Sequence, residues 1–405
     1  MPDSAAERLT LEATGLRGSN QSGMRDHNER LVLSLLRQQG ALAKSDIARI
    51  SGLSAQTVSV IMRALEHDGL LLRGEPLRGR IGQPSVPMSL APDGALFLGL
   101  KIGRRSADLS LVDFLGQVRA SRRCTYRYPT PGTIVSFVGE AVPELLEVLP
   151  PPLRERVGGL GVAMPFQLWN WVTAIGAPQL EMDAWRDFDI QVPLAAITGL
   201  PVYVQNDATS ACGAELVFCT GERPKDFLYF YFGYFIGGGL VLNGQLFLGR
   251  SGNAAGVGPL PVPGPDGRMR RLFDLASLSV LADAMERAGE SSDHLWESPD
   301  NWQVSDNILS DWMDMAAEGR ASAILSAATL LELEAVVIDG WMPVAVRAEV
   351  TRRTDDALAR LDLSGVTPPQ IRQGTVGAQA RSLGAAAIPL SQRYLIDQNA
   401  AQRAG

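Results

Sequence analysis

The sequence predicts an α/β protein with two parts. A small three-helix head with a strand hairpin spans residues 24–90, and a two-lobed α/β body with a cleft between its lobes spans residues 91–405. Three observations carry this reading. Helical periodicity with Gly stops marks three short helices before residue 70. From residue 95 onward, strands and then helices follow one another twice over, as two packed lobes require. Two long uncharged runs, 157–180 and 227–249, are interrupted by Pro, Gly, Asn and Gln, so they are buried strands and turns rather than lipid-facing helices.

The chain has 405 residues, 20% charged and 46% hydrophobic, enough for two or three domains with proper cores. The net charge of −7 is unevenly spread. Residues 24–84 hold nine Lys/Arg against six Asp/Glu, so a modestly basic head precedes an acidic body and suits an anionic partner. The cysteines are Cys124, Cys212 and Cys219, with no CxxC pair, and the histidines are His27, His67 and His294. No four-ligand zinc site can be drawn from these, so neither a metal nor a cofactor is expected. Few cysteines, no signal peptide and no membrane-spanning helix predict a cytoplasmic protein.

Residues 1–23 are polar and Gly/Ser-rich and read as a flexible tail. "NERLVLSLLRQQG" then places Leu31, Val32, Leu35 and Leu36 on one helical face and stops at Gly40. "KSDIARISG" is a short second helix, with Ile47 and Ala48 inward and Gly52 at its end. Ser54 is a good N-cap for a third helix, "AQTVSVIMRALEHDG", in which Val58, Ile61, Met62 and Leu65 form one buried stripe. Two helices joined by a short Gly-containing turn are a helix-turn-helix. The outer face of helix three shows Ala55, Gln56, Ser59 and Arg63, small or hydrogen-bonding groups that a base-reading surface needs. Gln56 suits an adenine edge, and Ser54, Thr57 and Ser59 suit phosphates or bases. The plainer alternative is a three-helix bundle with a merely solvated outer face. "LLLRGEPLRGRIGQPSVPMSL" reads as a wing. Its tip carries Arg78 and Arg80 between small neighbours, either for insertion into a narrow A·T-rich minor groove or as a basic linker. The expected partner of this head is double-stranded operator DNA.

In the body, strands are predicted at 95–103, 106–113, 117–127, 157–164, 200–205, 227–234, 238–248, 334–339 and 369–373. Helices are predicted near 132–149, 207–218, 271–289, 304–333, 343–362 and 379–397.

Several runs make a more specific match. "GLSAQTVSVIMRALEHDGLL", "LGLKIG", "GLGVAMP", "GLPVYVQNDATSACGAE", "IGGGLVLNGQLFLGRSGNAAGVG" and "SLGAAAIPL" together resemble the ROK family (repressors, open reading frames and sugar kinases), in its winged-helix regulator branch. The likeness covers about residues 24–390 and implies an actin-like, sugar-kinase-like body. It also marks departures from the kinases. The family's Asp-x-Gly-x-Thr phosphate motif here reads Lys101-Ile-Gly103-Arg-Arg105, and an ammonium beside Mg²⁺ is incompatible with its oxygen ligands. The small Thr/Gly turn against the phosphates holds Tyr234 and Phe235. Gly256-Val-Gly258-Pro259 replaces the Glu-x-Gly-His stretch, and "PVPGPDGRMRRLFDLASL" replaces a Cys-rich zinc loop. Lys101 and Arg105 are expected to be solvated at the cleft rim; neutralising nearby acids or binding an anionic effector are the alternatives.

The resemblance leaves Asn206-Asp207, where the family's kinases keep their catalytic base. A lone carboxylate without metal or phosphate site does not transfer a phosphoryl group. Asp207 is therefore read either as a retained contact to ligand hydroxyls, with Asn206, or as the cap of the following helix. Gln167, Trp169, Asn170 and Trp171 cluster in a loop expected at the cleft, where aromatic faces and amides suit a polyhydroxylated ligand; packing inside the lobe is the alternative for both Trp. Asn253 falls where the family's sugar-contacting loop would be. The resulting expectation is a non-enzymatic DNA-binding regulator of carbohydrate metabolism, with repression as its mode. A sugar or sugar derivative would control it, and it would act as a homodimer or homotetramer. An active sugar kinase with an added head, and a ligand-free dimerisation scaffold, are the competing readings.

Overall fold

The computed structural model describes residues 21–76, 86–170 and 176–396, and these fall into two units. The first contains the described residues up to 96 together with 113–115 and 390–396. The second contains residues 97–112 and the described residues from 116 to 389. The wing tip with Arg78 and Arg80, Trp171, and residues 1–20 of the predicted tail lie outside the described residues.

The first unit opens with helices α1 (Gln21–Gln39), α2 (Lys44–Ser51) and α3 (Ala55–His67). Helix α2 ends where Gly52 turns left-handed at φ 73° and returns its N–H to Ala48 O. Two residues later the Ser54 hydroxyl accepts from Thr57 N at 3.1 Å and starts α3. Val58, Ile61, Met62 and Leu65 form the buried stripe, packed in a core with Val32, Leu33, Leu36 and Ile47. Leu33 is buried where periodicity placed Leu31, which is only partly covered. Strands β1 (Leu71–Arg73) and β2 (Met88–Leu90) pair antiparallel, and Leu42 exchanges both backbone hydrogen bonds with Met88 to add a third short rung. This is a winged helix-turn-helix. Within the same unit Phe114 packs edge-on to Tyr394, and the Arg37 guanidinium lies over the Phe114 ring at 5.0 Å.

The second unit contains two five-stranded mixed sheets. One is formed by β3 (Leu96–Ile102), β4 (Ser106–Asp113), β5 (Val118–Thr125), β6 (Val157–Met164) and β7 (Val202–Asn206), in the order β5-β4-β3-β6-β7. The other is formed by β8 (Phe227–Phe232), β9 (Ile236–Leu242), β10 (Gln245–Leu246), β13 (Ala335–Gly340) and β14 (Gln370–Gln373), in the order β10-β9-β8-β13-β14. The two orders are the same pattern, 3-2-1-4-5, so the body repeats one topology that no repeated residues announce. Between β10 and β13 in sequence, β11 (Pro261–Pro263) and β12 (Met269–Arg271) make a small hairpin. The main helices of this unit are α4 (Pro131–Glu147), α5 (Gln191–Thr198), α6 (Asp207–Phe218), α7 (Leu278–Arg287), α8 (Asp306–Leu331), α9 (Val344–Ala359) and α10 (Ala380–Tyr394), the last of which ends in the first unit.

Three differences from the sequence expectation have local causes. The strand expected at 238–248 is two strands, because Asn243 and Gly244 both take left-handed φ, 53° and 71°, in a two-residue hairpin turn. The single helix expected at 271–289 breaks at Ser277, which is extended. Its hydroxyl accepts from Ile236 N at 3.0 Å and its carbonyl from Trp312 Nε1 at 3.1 Å, so it serves a strand start and a core indole instead of a helix. Between 165 and 200, where no element is predicted, the described residues include a short helix at Gln179–Asp183 and α5.

The core of the second sheet's lobe is aromatic. The six residues of β8 are all buried, and Phe232 meets Trp312 edge-on at 5.7 Å. Asp339, with no exposed surface, accepts from Arg347 Nη1 at 2.7 Å, Gly340 N, Gly377 N and the Tyr229 hydroxyl. Four donors satisfy a carboxylate that burial alone would expel.

Candidate functional site

Two surfaces merit attention, one in each unit. In the head, Ser54, Ala55, Gln56 and Arg63 are exposed on α3, and Thr57 and Ser59 are partly covered. Local bonding divides their roles. The Ser54 and Thr57 hydroxyls bond each other at 2.8 Å, and Arg63 Nε folds back onto Ser59 O at 3.2 Å. Gln56 stands in the first turn, on an exposed stretch of helix without acids. Val60, 49% exposed one turn further along, is an apolar member of this face that the sequence reading passed over. An exposed β-branched residue on an otherwise polar face was the available signal.

In the body, a cleft of about 560 Å³ is lined by Asn206, Asp207, Gln167, Asn170 and Asn253. These five alone come from three separate stretches of the sequence. Among the described residues its aromatic wall consists of Phe166, Tyr231, Tyr234, Phe235 and Phe273. Trp169 instead lines an adjoining hollow of about 380 Å³, with the Arg186 guanidinium 5.4 Å from its ring, so it does not stack on a ligand of the main cleft. Gln167 and Asn253 line both spaces. The Gln167 backbone is left-handed, φ 57°, and its side-chain oxygen accepts from Asn170 Nδ2 at 3.0 Å. Ala255, two residues from Asn253, is also left-handed at φ 54°. Such conformations cost a non-glycine residue energy, and they occur here in the loops that bound the cleft.

The run "VQNDATSACGAE" is assigned side chain by side chain. The helix cap is Asn206: its Oδ1 accepts from Ala208 N at 3.0 Å and Thr209 N at 3.2 Å. Asp207, read as one alternative for that cap, is the first helical residue, and its carboxylate accepts from Arg381 Nη1 at 3.2 Å. Gln205 accepts from Ser210 Oγ, and the buried Glu215 accepts from Thr375 N, Thr375 Oγ1 and Val376 N. Burial raises the Glu215 pKa. Arg381 lies over the Tyr231 ring at 4.9 Å; against the downward push of burial, Tyr231 and Asp207 hold its guanidinium above the ordinary range. Arg381 is close enough because Gly161 and Gly384 remove every Cβ from the approach: a side-chain carbon there would overlap the Ala385 and Ser210 carbonyls.

Lys101 is not solvated at a rim. It is buried and donates to Asp108 Oδ2 at 2.8 Å, while Arg123 takes the other oxygen at 2.7 Å. Burial first, then the Arg381 charge, push the ammonium down to about 8 against the pull of Asp108. Lys101 and Arg123 hold the Asp108 carboxyl below its usual value although burial pushes it up. Neutralising an acid is therefore what Lys101 does, whereas Arg105 is exposed. Because the folded Lys101 releases its proton near pH 8 and the unfolded one near 10.5, the unfolded chain binds more protons in that window, and stability rises with pH across it. The rise is expected to be at most about 3 kcal/mol and to vanish in Lys101→Met. Asp108 keeps Arg123 in that variant, so thermal denaturation at pH 7 should show it unchanged or slightly stabilised. Melting curves between pH 7 and 10.5 check both statements.

Among the described residues, no three His, Cys, Asp or Glu side chains come together as a metal site, and no helix is long and apolar enough to cross a membrane.

A winged helix-turn-helix joined to two 3-2-1-4-5 lobes around an Asn-Asp helix start defines a DNA-binding module on a sugar-kinase-like body. The chain belongs to the ROK family, whose profile matches residues 97–391; a winged helix-turn-helix DNA-binding profile matches residues 25–71. It is 23% identical to the uncharacterised protein y4fQ of Sinorhizobium fredii over 91% of each chain. It is 22% identical to the xylose repressor of Caldicellulosiruptor bescii, over 69% of this chain and 72% of that one. Among solved structures, it is similar to a ROK family transcriptional regulator described as a homologue of the E. coli MLC protein. The TM-score is 0.64 at 18% identity, covering 92% of this chain and 97% of that one. It is also similar to a ROK family glucokinase from Streptomyces griseus in complex with glucose and AMPPNP. There the TM-score is 0.55 at 23% identity, covering 72% and 98%.

Proposed function

We propose that this protein is a DNA-binding transcriptional repressor whose operator affinity is set by a small polyhydroxylated effector in the cleft of a catalytically inactive ROK body. The observation that carries the reading is the combination, in one chain, of an exposed hydrogen-bonding face on α3 with a buried Lys101–Asp108 pair where the family's kinases handle metal and phosphate. The xylose repressor among its relatives supports both the regulatory role and a carbohydrate as effector class. Asn206 is spent as a cap and Asp207 is paired with Arg381, so neither is poised as a free base; Asp207, Gln167 and Asn253 are the groups offered to ligand hydroxyls. The effector acts through its different affinity for two states of the body. A homodimer or homotetramer would let two heads read paired half-sites.

The test is selection of bound DNA from a random pool by the full-length protein, repeated with xylose, glucose and other sugars. Enrichment of one sequence family, lost or altered with one sugar, is the expected result; no enrichment in any condition rules the reading out. A coupled ATPase assay with the same sugars addresses the kinase alternative: turnover that disappears in Asp207→Asn would establish that alternative instead.

A further inference from the structure

The cleft's charges are unbalanced, and the imbalance can be assigned to one residue. Three of the lining side chains are arginines, Arg104, Arg271 and Arg381, against a single lining carboxylate, Asp207. Two of the three are already neutralised. Arg381 is paired with Asp207, and Arg271 donates to both oxygens of Asp274 at 2.9 and 3.2 Å. Arg104 is different. Its guanidinium carbon lies over Tyr234, 4.0 Å from the ring centre. Its Nε is buried without a hydrogen-bond partner, and among the described residues no carboxylate pairs with it. Asp283 and Glu286 act on it only at longer range, and burial pulls its pKa down. A guanidinium is always charged and presents a fixed fork of donors, so one half-withdrawn from water with no acid in contact is a poor resting state and a good anion receptor.

The position is also rigid. Gly103 N donates to Ser106 O at 2.8 Å, Gly103 O accepts from the Tyr126 hydroxyl at 2.8 Å, and Tyr126 N donates to Arg105 O at 3.0 Å. The turn that carries Arg104 is thus bonded on both sides of it. The Tyr234 ring attracts the guanidinium at 4.0 Å, and a guanidinium's N–H fork matches the paired oxygens of a carboxylate or phosphate.

We propose that the effector of this cleft is anionic: a polyhydroxylated compound bearing a carboxylate or phosphate group that binds Arg104 while its hydroxyls face Asp207. This rests on the effector reading given above and narrows it to a charge class.

The experiment is calorimetric titration of the full-length protein with matched neutral, carboxylate and phosphate forms of glucose and of xylose. The same titrations are run on Arg104→Gln and Arg104→Lys, with unchanged melting curves as the folding control. At least one charged form is expected to bind about ten- to a hundred-fold more tightly than its neutral parent. The preference should weaken as salt is raised, disappear in Arg104→Gln and largely return in Arg104→Lys. Whether the carboxylate or the phosphate form shows it identifies the anion. Neutral forms binding as tightly as charged ones, or a charge preference that survives Arg104→Gln, overturns this inference and leaves the effector reading standing. Binding of no form at all overturns both.

Discussion

Asp339→Ala is expected to cost the body about 3–5 kcal/mol, because it strands Arg347 as a buried cation and removes the acceptor for Tyr229, Gly340 and Gly377. For a unit of this size that lowers the melting temperature by roughly 10 °C. Asp339→Asn keeps one acceptor oxygen but turns an N–H₂ group toward donors, so it should fall between the parent and the alanine variant. The double change Asp339→Ala with Arg347→Met should recover much of the loss, since the penalty lies in the unpaired charge rather than in a missing attraction. Differential scanning calorimetry of these proteins and of Arg347→Met alone gives the comparison; additive losses in the double variant would show that the two residues act separately.

Gln56→Ala is the substitution expected to weaken DNA recognition most. A bidentate amide–adenine contact is worth about 1–3 kcal/mol of base discrimination, so operator affinity should fall roughly ten- to a hundred-fold. Binding to unrelated DNA at low salt should hardly change, because it depends on phosphate contacts. Arg80→Ala, in a segment outside the described residues, is expected to matter mainly at A·T-rich sites. Competition gel shifts with operator and scrambled duplexes measure these effects, and parent-like operator binding by both variants would show that the docking assignment is wrong.

Much of the fold was legible because its signals are local. The stripe Val58, Ile61, Met62, Leu65 and the Gly52–Ser54 turn fix the recognition helix within about a dozen residues. The uncharged runs yielded β6, β8 and β9 for the same reason. What escaped is what depends on partners far away in sequence. Nothing near residue 277 says that a serine will leave a helix to serve Ile236 and Trp312. Nothing near residue 207 points to Arg381, 174 positions on, which claims the carboxylate. Of the two readings of Asp207, the cap belongs to its neighbour: Asn and Asp cap equally well and adjoin here, and only the geometry gives the cap to Asn206. Lys101 was misplaced because a charged residue in a strand is ordinarily solvated, and its partner Asp108 lies on the neighbouring strand. Trp169 drew attention by type, whereas among the described residues the cleft is walled by phenylalanine and tyrosine from segments that sequence alone does not bring together.

The Lys101–Asp108 pair also couples the two positions, so that neither can change its charge alone without cost. Restoring an acid at position 101 alone would set two carboxylates against each other in a largely buried space, where one of them would keep its proton. A protonated acid is no metal ligand, so the single-step variant gains nothing toward phosphate chemistry and loses a satisfied pair. Position 108 would have to change as well, with Arg123 left to find another partner. An acid at position 101 thus requires a second change at position 108 before it can be charged.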